Sequence, residues 1–350
     1  MKRESITQKD IAELAGVSST VVSYVINEGP RPVAEETKRR VMNAIKELGY
    51  RPNKYAQRLR AKSTKALRQL GIILGGGSEI LRRPYYGDII SGIYEEAYRQ
   101  GQHIRFVHFF DELHDPLLLN SHVHQEEISA IIFFPLYSAL KDPKNHALFM
   151  RIVERIPIMV CLEKAVADLP AVIFDRVGAA RTAVEHLISL GHRRIGFIGG
   201  KGERIVGYRQ ALSEHDVPYD EAIIIHPGPK NSPGEGYEAA LQLLALDEPP
   251  TAVFAVCDEV AIGAIGAFTD RGVAVPQQMA IASIDDLDLA AIVRPALTTV
   301  HVPRREMGIQ ALRMIAMQEA YPDSPPSSNV LRTELIIRDS CGAKLRERRS

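Results

Sequence analysis

The amino-acid sequence predicts an all-α head followed by an α/β core that contains two doubly wound parallel sheets. Two observations carry this prediction. The first 68 residues hold three short amphipathic helical segments, whereas from Leu70 onward short apolar runs alternate with amphipathic stretches. Apolar runs without internal alternation are typical of parallel strands buried on both faces. About ten such runs would make one very large open sheet, so two halves of about five strands each are favoured.

The head segments carry the signals of a helix-turn-helix. Thr7 and Asp10 form a capping box for a first helix, and Gly16 ends that helix. Ser18 can cap a second helix, and a third covers residues 35 to 48 with acidic residues in its first turn. Because the second helix follows a tight glycine turn, the three together predict a helix-turn-helix.

The second helix has an outward face that is small, polar and uncharged. Its apolar positions turn inward at helical spacing, which leaves the following residues partly or wholly outside: Ser19, Thr20, Val21, Ser23, Tyr24 and Asn27.

The core is predicted from its apolar runs and the helices between them. The runs are QLGIIL, IRFVHFF, AIIFFP, IPIMVCL, AVIFD, RIGFIGG, AIIIH, TAVFAVCD, AIASIDD and LTTVHV. Helical stretches between them include YYGDIISGIYEEAYRQG, GAARTAVEHLISLG, GYEAALQLLAL and EVAIGAIGAFTDRG. The stretch at 321 to 329 reads as a local linker.

Charge is divided unevenly along a chain that is neutral as a whole. Residues 1 to 68 contain fifteen Lys and Arg against seven Asp and Glu, a net +8, which leaves −8 for the rest because the totals are 43 and 43. A basic head on an acidic body is typical of a nucleic-acid-binding domain joined to another domain. A solvated lysine-rich surface would give the same count, so charge alone leaves both readings open.

Composition excludes several classes of protein. Hydrophobic residues make up 45% and charged residues 25%, as in globular domains. No apolar run reaches the ~18 residues of a membrane span, and no export signal follows the basic start, so a cytoplasmic, nucleoid-associated protein is expected. The three cysteines lie far apart and predict neither a disulfide framework nor a zinc site.

Enzyme and metal motifs are missing from the sequence. GGGSEI and GGKGER lack the spacing of nucleotide-binding loops, and no cofactor is expected. Several histidines and aspartates between 108 and 124 suggest a metal site, but surface histidines explain them better, since His122 and His124 are only two residues apart.

Charged residues follow the predicted strands, where ligands bind in open α/β sheets. Asp175, Arg204, Asp258 and Asp285 each stand at or after the end of an apolar run. Carboxylates and an arginine that converge on one crevice can bind hydroxyl groups through directed hydrogen bonds, which suits a sugar or another polyol. Helix capping is the alternative for Asp175 and for the Asp285 and Asp286 pair.

Long ordered motifs resemble one family. The head, ITQKDIAELAGVSSTVVSYVINEGPRPVAEETKRRVMNAIKELGYRPN, closely resembles the DNA-binding domain of the lactose-repressor (LacI/GalR) family of bacterial transcription regulators. RTAVEHLISLGHRRIGFIGG, ERIVGYRQAL, PTAVFAVCDEVAIGAIGAF and RPALTTVHVPRREMG resemble its periplasmic-binding-protein-like core. The resemblance extends from about residue 6 to about residue 338.

The resemblance implies residue roles. Ser19, Thr20 and Tyr24 would read base edges in the major groove. Five residues would lie near the DNA backbone: Thr7, Ser18, Val21, Ser23 and Asn27. The segment KYAQRLRAKS matches a hinge helix that folds on operator DNA, and its predicted DNA-binding residues are Tyr55, Ala56, Arg58 and Leu59. Ala56 would enter the minor groove, and Leu59 would act as an apolar wedge there. The family's effector-binding Arg and Asp positions fall on Arg204 and Asp258, and the remaining predicted effector residues are Asp175, Asp285 and Tyr86.

The chain also departs from the family pattern. Tyr24 stands where arginine is common, which changes the expected operator preference. The loop EGPRPVA is about one residue longer than usual, and Cys257 replaces an asparagine. GGGSEILRRPYY replaces an aromatic run and adds Arg82 and Arg83, so an anionic or phosphorylated effector is an alternative to a neutral sugar.

The leading hypothesis is a homodimeric or tetrameric repressor that binds near-palindromic operator DNA and responds to a small polar effector. A carbohydrate-binding protein or enzyme on the same core is the runner-up, and an architectural DNA binder without sequence preference is a third reading. Predicted domains are residues 1–52 (head), 53–68 (hinge and linker), 69–340 (core) and 341–350 (basic tail). Within the core, 69–162 and 293–320 would form one half, and 163–292 and 321–340 the other.

Overall fold

A computed structural model describes residues 7–26, 32–48, 69–136, 139–228 and 230–344. The chain divides into two compact units, residues 1–66 and 67–350, and each is described by itself. Across the described ranges, no helix is both long and apolar enough to cross a bilayer.

The first unit contains helices α1 (Gln8–Ala15), α2 (Ser19–Ile26) and α3 (Glu35–Leu48) around a small apolar core. Ile11, Val22 and Val41 are fully buried in that core. The capping box is confirmed, because the backbone N–H of Thr7 donates to Asp10 Oδ2 at 2.6 Å and the N–H of Asp10 donates to Thr7 Oγ1 at 3.4 Å. Gly16 ends α1 with φ +63°, a conformation that suits glycine. The predicted helix-turn-helix is therefore present.

The second unit contains two six-stranded sheets. The first sheet has the order β11-β5-β4-β3-β1-β2, with β1 (Gln69–Leu74), β2 (His103–Phe109), β3 (Ala130–Phe134), β4 (Ile158–Leu162), β5 (Ala171–Phe174) and β11 (Ser328–Leu331). The second has the order β12-β10-β9-β8-β6-β7, with β6 (Ile195–Ile198), β7 (Ile224–Ile225), β8 (Ala252–Ala255), β9 (Ala280–Asp285), β10 (Thr298–His301) and β12 (Glu334–Ile336). All pairs are parallel except β10 with β12.

Helices cover the faces of both sheets. Those of the first half are α4 (Pro84–Arg99), α5 (Pro116–His122), α6 (Pro143–Arg155) and α12 (Arg304–Ala320), and α12 packs on α4 and β4. Those of the second half are α7 (Arg176–Ser189), α8 (Glu203–Glu214), α9 (Pro233–Leu244), α10 (Asp258–Asp270) and α11 (Asp288–Ile292), and α7 packs on α8 and β9. The predicted doubly wound α/β architecture is confirmed, and each of the ten apolar runs contains a strand.

Two short strands were not predicted. β11 lies within and just beyond the predicted linker, and β12 follows it. Both are edge strands with exposed or half-buried residues at every position. Because neither is an apolar run, the strand signal used for the buried strands is absent from them.

The predicted borders between the two halves are corrected by the strand pairing. β5 still belongs to the first sheet, so the first crossing follows Phe174 and does not lie near 162 to 164. β10 belongs to the second sheet, so the second crossing falls between His301 and Arg304 rather than near 291 to 293. The third lies between Leu331 and Glu334, not near 320 to 324. An apolar run does not specify which of two similar sheets it joins, and the sequence could not settle these borders.

Glycines allow two pairs of helices to pack backbone against backbone. A Cβ at Gly92 or Gly308 would overlap backbone atoms where α4 meets α12, and a Cβ at Gly236 or Gly263 would do so where α9 meets α10. Both contacts are among the most extensive between helices in the core.

Gly263→Ala is expected to lower the free energy of unfolding by about 2–3 kcal/mol, because the added methyl overlaps the carbonyl oxygen of Pro233 and forces α9 and α10 apart. Gly266→Ala is the matched control on the same helix, since its Cβ would lie 3.7 Å from the nearest Tyr237 ring carbon. It should be neutral or slightly stabilising. Urea unfolding of both variants tests this; equal stability of the two would contradict it.

Candidate functional site

A narrow crevice lies where the carboxyl ends of strands from both sheets meet. Its lining residues follow β1, β4, β5, β6, β7 and β8 or end β9: Arg83, Tyr85, Tyr86, Glu163, Arg176, Arg204, Asn231, Cys257 and Asp285. The cavity volume is ≈ 60 Å³, far below the roughly 300–1,000 Å³ of ordinary ligand pockets. A ligand of ordinary size therefore requires the two halves to move apart.

Arg204 enters the crevice from the first turn of α8, which begins just after β6. Its Nε is enclosed and has no hydrogen-bond partner among the described residues. An enclosed guanidinium nitrogen without a partner costs free energy unless a ligand supplies an acceptor. The predicted position of Arg204 in the crevice agrees with the structure.

Asp285 ends β9 and faces the same cavity. Only 1% of the residue is exposed, and its Oδ1 lacks a hydrogen-bond partner in the described part of the chain. Burial raises the pKa of this carboxyl to about 7, an effect that the nearby Arg204 opposes. Asp285 and Asp286 both have positive φ, +123° and +55°, which is strained backbone of the kind that collects at functional sites.

The opposite wall combines tyrosines with an ion pair. Tyr85 is buried, and its hydroxyl has no hydrogen-bond partner among the residues described. The guanidinium of Arg83 lies 5.6 Å from the Tyr86 ring centroid. Arg83 Nε also pairs with Glu259 Oε2 at 2.7 Å, and this pair joins α10 of the second half to the first half across the crevice.

A second arginine bridges the two halves at the other end of the crevice. Arg176 begins α7 and donates to the backbone carbonyl of Glu163, which follows β4. Its guanidinium also lies 3.5 Å from Glu163 Oε1 and 4.7 Å from the Phe174 ring centroid. Glu163 has φ +70°, so this wall is strained as well.

Asp258 does not line the crevice, contrary to the sequence prediction. It is fully buried, and its carboxylate accepts hydrogen bonds from Ser283 Oγ, from Thr299 Oγ1 at 2.6 Å and from the backbone N–H of Leu287 at 2.7 Å. Burial raises its pKa to about 6 despite these bonds. Its side chain ties α10 to β9 and β10, so its role here is structural.

Asp175 and Asp286 are also placed away from the cavity. Asp175 is exposed and caps α7, because its Oδ1 accepts the backbone N–H of Gly178 at 2.8 Å. Asp286 pairs with Arg338 at 2.6 Å and His301 at 2.9 Å. Helix capping thus explains Asp175, and the aspartate pair is split between the crevice and an ion-pair cluster.

Six lining residues were not among the predicted effector-binding residues: Arg83, Tyr85, Glu163, Arg176, Asn231 and Cys257. Of these, Arg83 and Cys257 were noted only as departures from the family pattern. Glu163 and Arg176 could have been found, because they follow β4 and β5 as closely as the predicted residues follow their strands. Asn231 follows β7, a strand of only two residues, and carries no comparable signal.

The predicted DNA-reading positions lie on α2 or just before it. Ser18, Ser19 and Thr20 are exposed, whereas Val21, Ser23 and Tyr24 are half-buried. Ser18 also caps α2, since its Oγ accepts the N–H of Val21 at 3.3 Å, and the exposed Thr7 belongs to the capping box of α1. Five predicted positions lie outside the described residues: Asn27, Tyr55, Ala56, Arg58 and Leu59.

The histidines near β2 bond to neighbouring side chains. His108 Nε2 lies 2.8 Å from His122 Nδ1, and His114 Nε2 lies 2.6 Å from Asn145 Oδ1. In the described part of the chain, no group of three or more possible ligands is arranged to hold a metal ion.

Comparison with known proteins shows the same two-part organisation. Residues 7–53 match the model for bacterial regulatory proteins of the lacI family, and residues 184–341 match a periplasmic binding protein-like domain. The HTH-type transcriptional repressor PurR of Mannheimia succiniciproducens is 31% identical over 344 residues, which cover 95% of this chain and 98% of that protein.

Two solved structures share the fold. One is a complex of the transcriptional regulator CelR with cellobiose, which has a TM-score of 0.67, 25% identity and coverage of 96% of this chain and 99% of that one. The other is a lac repressor dimer bound to operator and the anti-inducer ONPF, with a TM-score of 0.67, 24% identity and coverage of 97% and 99%. The chain therefore belongs to the lacI family of bacterial regulatory proteins: it is a DNA-binding transcriptional regulator with a ligand-binding core, and not an enzyme.

Proposed function

We propose that this regulator is a repressor that binds near-palindromic operator DNA as a homodimer. In this proposal its operator affinity changes when a sugar or sugar derivative occupies the crevice. The observation that carries the effector proposal is that two residues lining one narrow crevice, Arg204 and Asp285, each have a buried polar atom without a partner among the described residues, Nε and Oδ1. A polyol supplies both missing partners, because a hydroxyl accepts from the guanidinium and donates to the carboxylate.

The crevice is placed to couple ligand binding to a movement of the two halves. Its walls come from both sheets, and the Arg83–Glu259 ion pair joins them at 2.7 Å. Arg304 of α12 adds a further link, since it donates to the backbone carbonyl of Asp286 at 3.2 Å. Its ion pair with Asp88 of α4, at 2.8 Å, lies within the first half. A ligand that prefers one arrangement of the halves shifts the equilibrium by its difference in affinity.

DNA recognition is assigned to the head and the hinge. Residues 1–52 would form the DNA-binding domain and 53–68 the hinge and linker, with residues 69–340 as the sensing core. On α2, Ser19 and Thr20 are exposed and Tyr24 is half-buried, which supports their proposed contact with base edges. The net +8 of residues 1 to 68 favours association with phosphates.

Selection of random duplex DNA by the purified chain, with and without a pool of sugars and sugar derivatives, tests this function. We expect enrichment of a palindrome with half-sites about one helical turn apart and a change of enrichment with the pool. Enrichment that ignores every compound would contradict the effector role. Binding without any sequence preference would instead indicate an architectural DNA binder.

Tyr24→Ala should change which sequence is selected, because it removes a side chain that we propose reads base edges. Arg58→Ala is the matched control, and it should weaken binding to all sequences about equally if Arg58 contacts phosphate. An unchanged preferred sequence in Tyr24→Ala, measured by the same selection, would show that the assigned register of α2 is wrong.

A further inference from the structure

We propose that the effector is a sugar acid, a polyol with one carboxylate, and that Arg204 binds the carboxylate while Asp285 and Tyr85 bind hydroxyls. The inference rests on the proposed effector role of the crevice and narrows the class of ligand. It is based on which arginines of the crevice already pair with a carboxylate and which do not.

Three guanidinium groups line the crevice, and two of them pair with carboxylates. Arg83 pairs with Glu259 at 2.7 Å, and Arg176 bonds with Glu163 and lies 3.8 Å from Glu203 Oε2. The buried Nε of Arg204 has no hydrogen-bond partner among the residues that the structure describes, and Asp285 is the acidic group that most favours its charged form. One positive group is thus left for a ligand, and a carboxylate can bind a guanidinium through two parallel hydrogen bonds.

Three helices begin at the crevice and add partial positive charge. The residues before α4, α8 and α10 are Arg83, Gly202 and Cys257, and none supplies a side-chain cap. By contrast, α7 and α9 are capped by Asp175 and Ser232. Uncapped N–H groups at a helix start favour an anion.

Acidic side chains in these first turns are already bonded elsewhere. Glu259 pairs with Arg83, and Asp258 accepts three hydrogen bonds beneath the crevice. Glu203 lies 3.5 Å from Lys164 and 3.8 Å from Arg176. None of them competes for the guanidinium of Arg204.

The carboxyl of Asp285 distinguishes an acid from a neutral sugar. Arg204, Arg83 and Arg304 favour its charged form, while burial and Asp258 oppose it, so it titrates near neutrality. A neutral sugar leaves Arg204 to be balanced by ionised Asp285, so its affinity should rise with pH. The carboxylate of a sugar acid supplies the negative charge beside Arg204 itself, so Asp285 binds the acid in its protonated form and donates a hydrogen bond to it. Because Asp285 loses this proton as pH rises, the affinity for a sugar acid should fall with rising pH.

A carboxylate fits this balance better than a phosphate ester. A phosphate monoester carries about −1.5 to −2 at neutral pH, which exceeds the single unbonded guanidinium. The second charge would have to break one of the two existing arginine pairs.

The test uses the full-length chain and three matched panels: aldonates and uronates, their parent neutral sugars, and the corresponding sugar phosphates. Thermal unfolding identifies binders, and calorimetry gives affinities between pH 6 and pH 8.5. We expect only acids to stabilise the chain, with an affinity that falls about tenfold per pH unit above about 7. Asp285→Asn should remove this pH dependence.

Arg204→Gln should weaken acid binding by about 100-fold or more, because it removes one partner of a desolvated charge pair. Arg209→Gln is the control, since Arg209 lies on the same helix but is exposed. Binding of neutral sugars or phosphates in place of acids overturns the sugar-acid assignment but keeps the effector role. If no acid binds, the sugar-acid assignment is also wrong. If no compound changes operator binding, the proposed effector control of operator binding is itself wrong.

Discussion

Asp285→Asn is expected to stabilise the ligand-free chain by about 2–4 kcal/mol at pH 8. The folded pKa of Asp285 is raised from 3.8 to about 7 because its carboxyl is buried in the crevice. A raised pKa means that the folded state binds the proton more tightly than the unfolded state. Stability is therefore lost as pH rises from about 4 to about 7, and an uncharged amide avoids that loss.

The measurement is chemical unfolding of both proteins at pH 4.5, 6 and 8. The difference should be small at the lowest pH and reach its full size above 7. Asp288→Asn, an exposed aspartate on the neighbouring helix α11, should show no such pH dependence. If the Asp285→Asn chain were less stable than wild type at pH 8, the buried carboxylate of Asp285 would not be destabilising the ligand-free chain, and this prediction would be wrong.

Asp258→Ala should destabilise the core by about 3 kcal/mol, because the hydroxyls of Ser283 and Thr299 and the N–H of Leu287 lose their shared acceptor inside a buried site. Part of this loss is offset, because the variant no longer has to bury a charged carboxylate. The cost of that burial is reflected in the pKa of Asp258, which burial raises to about 6.

Thermal and urea unfolding of Asp258→Ala test this second expectation. Asp270→Ala is the control at the other end of α10, where the carboxylate is exposed and accepts a hydrogen bond from the hydroxyl of Tyr237 at 2.9 Å. If the two variants were equally stable, Asp258 would not be the link between α10, β9 and β10.

Most of the fold could be predicted from the sequence because its strands are buried. Each of the ten apolar runs contains a strand, since a parallel strand covered on both faces must be apolar throughout. β11 and β12 escaped prediction because each lies at a sheet edge with polar residues exposed. The prediction assigned β5 and β10 to the wrong sheets. The sheet that a strand joins depends on packing in three dimensions, and the local sequence pattern does not specify it.

Part of the site could also be predicted, because the ends of the strands were known from the apolar runs. The rule that ligands bind at the carboxyl ends of strands led to Arg204 and Asp285, and both line the crevice. The rule does not specify whether a side chain points into the crevice or beneath it. Asp258 and Asp285 look alike in sequence, yet one is satisfied by three donors and the other has an unpartnered oxygen. Only the hydrogen bonds of the folded chain distinguish Asp258 from Asp285.

The three crossings between the halves have a consequence for synthesis on the ribosome. The last strand of each sheet comes from residues 328–331 and 334–336, so neither sheet is complete until almost the whole chain has emerged. Helices α1 to α3 share an apolar core of their own and precede the sheets in the sequence. Domains generally fold as units during synthesis, so the part that reads DNA is formed before the part that controls it.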